Sequence, residues 1–187
     1  MSFLDILHTP KDTLDIFNGI TLKEGDIVNI YGESFVGKTL FCYWVMHNNQ
    51  TKTVAYFDTE SSPYDVINKM IGEIPILYTV NNDLDKILDI IQSTIDICDY
   101  YVIDSFTATD FEQRKKTLLQ ICNVVKKNNK NLLLVSQIRE YDGKQYYEYK
   151  KFLDFCSFKA NITEISGESF MNGEYIIKKN FLETYKS

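Results

Sequence analysis

Apolar residues follow two different spacings along this chain, and the two spacings alternate. Short apolar runs bounded by polar or turn residues predict buried strands, and these runs fall at 27–31, 53–58, 76–80, 100–103 and 132–135. Between them, apolar residues at helical spacing predict helices, which fall at about 40–47, from Ser62, from Asp83 and at about 110–128. Alternating strands and helices predict an α/β fold with a mostly parallel central sheet flanked by helices.

The pattern changes after Gln137 towards shorter strands and more turn residues. Strands are predicted over about 155–165 and 175–179, joined by the turn-rich segment 166–173. These strands favour an antiparallel addition at one edge of the sheet. The chain has 187 residues, of which 44% are hydrophobic, and neither an internal repeat nor a low-complexity linker divides it. We therefore predict one domain over residues 1–187.

A glycine-containing segment follows the first of these strands. Residues 32–39 read GESFVGKT and match the pattern GxxxxGK[ST] at every fixed position. In such a loop the backbone N–H groups point at phosphate oxygens, and the helix that follows adds its positive dipole end. We therefore predict that the chain binds a nucleoside triphosphate, and the predicted binding residues are Gly32, Glu33, Ser34, Phe35, Val36, Gly37, Lys38, Thr39 and Leu40.

Two residues of the motif and one acid suit the phosphates and a magnesium ion. Lys38 is predicted to reach the β and γ phosphates, and the Thr39 hydroxyl is predicted to ligate Mg²⁺. Asp104 closes an apolar strand, where it can accept a hydrogen bond from magnesium-bound water. The alternative for Asp104 is a turn residue that only ends the strand.

Two further polar residues follow predicted strands at the sheet edge where α/β proteins bind ligands. Glu60 comes just after Phe57-Asp58-Thr59, where a carboxylate can polarise the water that attacks the γ phosphate. The alternative for Glu60 is an acid that only caps a helix. Gln137 ends the fourth long strand, where a neutral amide can hydrogen-bond the γ phosphate and report its presence.

Charge and cysteine usage exclude several classes of protein. The formal net charge of −6 argues against a polycation that wraps on DNA, although it leaves room for a local basic patch. The 4 cysteines form no CxxC pair and only 2 histidines accompany them, so neither a zinc site nor a disulfide framework is supported. No apolar stretch is long enough to span a membrane, and the start of the chain lacks a basic secretory signal. A soluble, cytoplasmic protein is expected.

Four ordered segments carry a resemblance to a known family. They read DIVNIYGESFVGKT, VAYFDTE, YYVIDSFTA and LLLVSQI, and they lie between about residues 20 and 140. In this order they resemble the ATPase core shared by RecA and the archaeal recombinase RadA. In type they are most similar to its short relatives, such as RadB and the KaiC-like ATPases. The resemblance implies a RecA-like P-loop NTPase fold that binds and hydrolyses ATP with Mg²⁺.

The resemblance also implies roles for single residues. It implies that Glu60 is the catalytic glutamate and that Gln137 is the γ-phosphate sensor, although the family typically has Asn-Gln where this chain has Ser136-Gln137. The last predicted strand is similar to a RecA segment whose lysines reach the nucleotide of the neighbouring subunit. That similarity implies a role in trans for Lys178 or Lys179. A lysine pair on an edge strand is just as often a guard against edge pairing.

The departures from the family fall on the parts that handle DNA. The segment 105–109, where the family has a longer first DNA loop, runs almost directly into a helix. The second DNA loop would correspond to residues 139–151, in which basic residues alternate with tyrosines. Such a pattern suits single-stranded DNA, and the candidate contacts are Arg139, Lys144, Tyr146 and Tyr147. The same segment could equally form a tyrosine-rich hairpin packed on the sheet.

Three functions remain open from the sequence. The first is a RecA/RadA-like ATPase that serves DNA recombination and repair as a recombinase paralogue or accessory, with single-stranded DNA, a RecA/RadA-type recombinase or further copies of itself as partners. The second is a KaiC-like regulatory ATPase whose nucleotide state controls a protein partner without DNA. The third is a subunit that keeps the nucleotide only as a structural element, and the intact Lys38, Thr39, Asp104 and Glu60 argue against it.

Overall fold

The alternating pattern produces a central sheet, which we describe from a computed structural model. The structure describes residues 13–17, 20–61, 67, 69, 74–141, 144–147, 156–165, 168–171 and 175–177. Its strands are β1 (Leu14–Phe17), β2 (Ile20–Leu22), β3 (Ile27–Gly32), β4 (Val54–Asp58), β5 (Ile76–Val80), β6 (Tyr100–Asp104), β7 (Asn131–Tyr141), β8 (Lys144–Tyr147), β9 (Phe158–Ile165), β10 (Glu168–Met171) and β11 (Tyr175–Ile177). Its helices are α1 (Lys38–Asn48), α2 (Leu84–Thr94) and α3 (Phe111–Lys127).

The strand order places the ends of β3, β4, β6 and β7 together. In the described part of the chain the order is β11-β10-β9-β3-β7-β6-β4-β5, and β8 pairs with β7. The six strands from β9 to β5 in this order pair in parallel, whereas β8, β10 and β11 pair antiparallel to their neighbours. The carboxyl ends of the parallel strands therefore lie at one edge of the sheet, where such sheets bind ligands.

Two layers of buried side chains hold helices on the two faces of the sheet. Successive side chains of a strand point to opposite faces, so Val28 and Ile30 belong to one buried cluster while Ile27 belongs to the other. The first cluster includes the apolar side of α1, and the second includes the apolar sides of α2 and α3. Each of the two outer helices α2 and α3 begins at an aspartate that accepts backbone N–H groups, Asp83 and Asp110 respectively. The predicted α/β fold with its mostly parallel sheet is therefore confirmed.

The C-terminal strands differ from the prediction in two respects. β9 was expected in the antiparallel addition, but it pairs with β3 in parallel, and antiparallel pairing begins at β10. The segment 166–173 was predicted as turns, but it contains the strand β10 (Glu168–Met171). The sequence did not reveal β10, because four residues between glycine-containing turn signals are too few to display an alternating pattern. The helix predicted from Ser62 lies mostly outside the described residues, although Ile67 and Lys69 are helical.

The hairpin of β1 and β2 was not predicted, and one asparagine fixes it to α1. Asn49 is only 7% exposed, and its amide oxygen accepts from the Asp15 backbone N–H at 3.0 Å. Its amide nitrogen donates to the backbone carbonyls of Asp15 at 2.6 Å and Val45 at 2.7 Å. One side chain therefore satisfies backbone groups of both the hairpin and the helix.

We expect Asn49→Ala to lower the free energy of unfolding by about 2 to 3 kcal/mol, because it leaves buried backbone groups without partners. Urea denaturation followed by circular dichroism measures this loss. Gln50→Ala is the matched control, because Gln50 is exposed and bonds only the half-buried His47 among the hydrogen bonds described. Equal stability of the two variants would contradict the role given to Asn49.

Candidate nucleotide-binding site

The loop between β3 and α1 contains two residues with a positive φ. β3 ends at Gly32 and α1 begins at Lys38. Gly37 has φ 102°, a left-handed conformation that glycine adopts without steric cost. Phe35 also has a positive φ of 66°, and its side chain is 99% exposed. The Phe41 N–H donates to the Gly37 carbonyl at 2.9 Å, so the loop passes directly into the helix.

A cavity of about 560 Å³ lies beside this loop, a volume within the range of small-molecule sites. Nine of its lining residues were predicted from the sequence as binding, metal or catalytic residues: Ser34, Phe35, Gly37, Lys38, Thr39, Leu40, Glu60, Asp104 and Gln137. Tyr43, Ser61, Ser105 and Val135 complete the lining. The structure therefore brings residues of four separate sequence segments to one cavity. Gly32, Glu33 and Val36, which were also predicted to bind nucleotide, do not line it.

Lys38 lies in this cavity with its charge only partly compensated. Its side chain is 7% exposed, and its Nζ donates to the Glu33 backbone carbonyl. Burial lowers the pKa of Lys38, and the nearby carboxylates of Asp104 and Glu60 oppose that shift. A buried ammonium beside open space favours an anionic ligand, because an anion would offset the desolvation of the charge.

Asp104 lies against Thr39 at the end of β6. The Thr39 hydroxyl is hydrogen-bonded to the Asp104 carboxylate, and the Tyr56 hydroxyl donates to Asp104 Oδ2 at 2.6 Å. Asp104 is 5% exposed, and burial raises the pKa of its carboxyl group. A hydroxyl and a carboxylate at the mouth of a phosphate loop are oxygen ligands of the kind that Mg²⁺ prefers, and that ion usually takes few protein ligands beside phosphates and water. The residues present therefore fit a magnesium ion bound together with a nucleotide.

Glu60 and Gln137 come together although 77 positions separate them in sequence. Gln137 Nε2 donates to Glu60 Oε1 at 2.9 Å, and the Ser105 hydroxyl donates to the same oxygen. The Ser105 hydroxyl is 3.0 Å from the Thr107 hydroxyl, which accepts from the Gln137 backbone N–H at 3.2 Å. The predicted catalytic acid and the predicted sensor are thus linked directly and through two hydroxyls.

Gln137 was expected to end its strand, but the strand is longer. β7 continues to Tyr141 and pairs with β8, whereas its pairing with β3 ends at Gln137. Gln137 therefore lies where β7 leaves the parallel sheet. The β7–β8 hairpin carries the candidate DNA contacts Arg139, Lys144, Tyr146 and Tyr147, whose backbone is described but whose side chains are not. Lys178 and Lys179 lie outside the described residues.

Three polar residues of the site were missed by the sequence analysis. Tyr56 bonds Asp104, Ser105 bonds Glu60, and the Tyr78 hydroxyl donates to Asp58 Oδ2 at 2.7 Å. A signal for the tyrosines was present, because a tyrosine inside an apolar strand usually needs a partner for its hydroxyl when buried. The partner itself could not be read, because it lies on another strand.

The helices α1 to α3, and the other helical positions in the described part of the chain, are too short or too polar to cross a membrane.

Comparison with known proteins gives a match of structure and none of sequence. No protein-family model matches the chain, and no curated protein matches it at a significant level. The chain is similar to the crystal structure of the RadB recombinase, with a TM-score of 0.59 and 17% sequence identity. The alignment covers 79% of this chain and 80% of that one. At this level of identity the similarity concerns the architecture, and the chain has a RecA-like α/β fold.

Proposed function

We propose that this protein is a RecA/RadA-like ATPase that binds ATP with Mg²⁺ and acts in DNA recombination and repair as a recombinase paralogue or accessory. One observation carries the proposal: the phosphate loop, Thr39 with Asp104, and Glu60 with Gln137 line one cavity at the carboxyl edge of the sheet. These are the parts that phosphoryl transfer to water requires, namely a phosphate cradle, a metal site and a group that orients water.

Different residues of the chain take different roles in hydrolysis. Backbone N–H groups of the loop and Lys38 Nζ bind the phosphates, and Lys38 leaves the Glu33 carbonyl to do so. Thr39 and Asp104 would hold Mg²⁺, whose charge offsets that of the phosphates. Glu60 accepts a proton from the water whose oxygen bonds to the γ phosphorus, while the bond to the bridging oxygen of ADP breaks. Gln137 changes partner from Glu60 to the γ phosphate and so reports its presence.

The hydrogen bonds around Glu60 favour slow turnover in the absence of a partner. Glu60 Oε1 accepts from both Gln137 and Ser105, so this oxygen has two hydrogen-bond donors within the protein. Gln137 immediately precedes the part of β7 that pairs with β8, so a shift of this hairpin would change the hydrogen bond that Gln137 donates to Glu60. We propose that single-stranded DNA or a neighbouring subunit shifts this hairpin. The neighbouring subunit is a RecA/RadA-type recombinase or a second copy of this chain. Lys178 or Lys179 is proposed to reach the nucleotide bound by that neighbouring subunit.

Contact with DNA through the β7–β8 hairpin is tested by removing its aromatic rings. We expect Tyr146→Ala/Tyr147→Ala to weaken binding of a labelled single-stranded oligonucleotide about tenfold or more, because base stacking on each ring is lost. ATP affinity should stay unchanged. Ile97→Ala is the control, because Ile97 is 67% exposed and precedes the amino end of β6, opposite the cavity. If the tyrosine variant binds DNA as tightly as the wild type, the hairpin packs on the sheet and does not contact DNA.

A second candidate is a KaiC-like regulatory ATPase whose nucleotide state controls a protein partner without DNA. Two observations favour it: the net charge of −6, and the connection from β6 to α3, in which a single 3₁₀ turn (Phe106–Ala108) replaces a longer loop. Binding of single-stranded DNA that weakens with salt supports the first function, whereas ATP-dependent association with a protein in the absence of DNA supports the second.

A further inference from the structure

Two tyrosines on neighbouring strands reach the two acids that end the adjacent strands. Tyr56 on β4 and Tyr78 on β5 are register partners, and their rings stack with a centroid separation of 5.9 Å and an angle of 23° between planes. The Tyr56 hydroxyl donates to Asp104 Oδ2 at 2.6 Å, and the Tyr78 hydroxyl donates to Asp58 Oδ2 at 2.7 Å. Asp58 and Asp104 are themselves register partners. The two stacked tyrosines therefore donate hydrogen bonds to two acids that are themselves neighbours on β4 and β6.

Each tyrosine reaches a different part of the site. Asp104 is the predicted acceptor from magnesium-bound water, and it also bonds Thr39. Asp58 Oδ1 accepts from the Glu60 backbone N–H at 3.0 Å, so Asp58 holds the turn that presents Glu60. Tyr56 thus acts on the residues proposed to hold the magnesium ion, and Tyr78 acts on the residue proposed to orient the attacking water.

Tyr56 is buried and Tyr78 is half-buried, and both hydroxyls donate to buried carboxylates. Tyr56 is 1% exposed, and burial together with the nearby Asp104 raises the pKa of its hydroxyl, which therefore stays protonated. Asp58 and Asp104 are 1% and 5% exposed. In such an environment water does not replace a lost donor, so removing the tyrosine hydroxyl leaves each carboxylate with fewer hydrogen bonds to fix its orientation.

We infer that Tyr56 and Tyr78 are positioning residues: Tyr56 orients Asp104 for the magnesium ion, and Tyr78 orients Glu60 through Asp58. The inference rests on the proposed ATPase function and deepens it. Neither tyrosine touches the phosphates in this scheme. Each acts through an acid, in the way that outer hydrogen-bond partners orient the ligands of a metal.

The test uses tyrosine-to-phenylalanine variants, which keep the stacked rings and remove only the hydroxyl. The first measurement is the affinity of a fluorescent non-hydrolysable ATP analogue as a function of Mg²⁺ concentration. Tyr56→Phe is expected to raise the Mg²⁺ concentration for half-maximal binding by about 10-fold to 100-fold. Tyr78→Phe is expected to leave that concentration unchanged and to lower kcat by about tenfold, because a mispositioned base loses part of its catalytic effect.

Tyr100→Phe is the matched control. Tyr100 is fully buried on β6, and its hydroxyl has no hydrogen-bond partner among the described residues. Its removal should change neither the Mg²⁺ requirement nor kcat. In an Asp104→Asn background, Tyr56→Phe should add no further shift in the Mg²⁺ requirement, because the two residues act on the same ion.

The outcomes separate this inference from the proposed function. An unchanged Mg²⁺ requirement in Tyr56→Phe overturns the role of Tyr56, and an unchanged kcat in Tyr78→Phe overturns that of Tyr78. Equal shifts in Tyr100→Phe would show a packing effect and overturn both. Wild-type protein that binds the analogue with Mg²⁺ but releases no phosphate contradicts the ATPase and the role of Tyr78, while the binding titration still decides the role of Tyr56. Wild-type protein that does not bind the analogue contradicts both proposals.

Discussion

Lys38→Ala is expected to weaken ATP binding by a factor of about 100 or more. In the proposed function the buried ammonium is the cation that binds the phosphates. Breaking a buried charge interaction costs about 3 to 5 kcal/mol, and each tenfold in affinity corresponds to about 1.4 kcal/mol. Lys38 also interacts electrostatically with the nearby Asp104 and Glu60, whose charges would repel the phosphates in its absence. Equilibrium titration with a fluorescent ATP analogue measures the loss.

Two controls separate binding from folding for this variant. Lys38→Met keeps most of the side-chain volume and should bind as poorly as Lys38→Ala. Lys23→Ala removes an exposed lysine of the turn between β2 and β3 and should bind like the wild type. Wild-type affinity in Lys38→Met would show that the ammonium does not bind phosphate.

Glu60→Gln is expected to retain ATP and to lower kcat by about 100-fold to 10,000-fold, the usual contribution of a general base. The replacement keeps the size and one carbonyl oxygen, so Gln137 and Ser105 can still donate to that oxygen. Only the capacity to take a proton is lost. Phosphate release under saturating ATP measures kcat, and analogue titration checks that affinity is unchanged.

Glu24→Gln is the control for this charge change, because Glu24 is exposed in the turn before β3 and does not line the cavity. Its kcat should equal that of the wild type. Substantial turnover in Glu60→Gln would exclude Glu60 as the base and direct attention to Asp58, which lies two residues earlier.

Much of the fold was predictable, because its signals are local. The apolar runs of β3, β4, β6 and β7 and the helical spacing of α2 and α3 are each contained in one stretch of sequence. The hairpin of β1 and β2 was missed, and the bonds by which Asn49 attaches it to α1 span 34 positions, which no local pattern reveals. The end of β7 was misplaced, because the strand continues past the sheet through its pairing with β8.

The candidate site was predictable in part, because some of its signals are also local in sequence. The loop 32–39 has a fixed pattern, and Asp104, Glu60 and Gln137 follow apolar strands, where parallel sheets bind ligands. The hydrogen bonds that connect them were not predictable. Tyr56 and Ser105 reach their partners across 48 and 45 positions in sequence, and no local pattern encodes such pairing.

The decisive measurement is phosphate release by the purified protein, with and without single-stranded DNA at low and moderate salt. We expect slow Mg²⁺-dependent hydrolysis of ATP that DNA accelerates, with less acceleration at moderate salt, because phosphate contacts are screened. A rate of phosphate release that is the same with and without DNA would favour the KaiC-like regulatory ATPase. Absence of phosphate release under every condition, with or without DNA, would contradict the assignment of this cavity as an ATPase site.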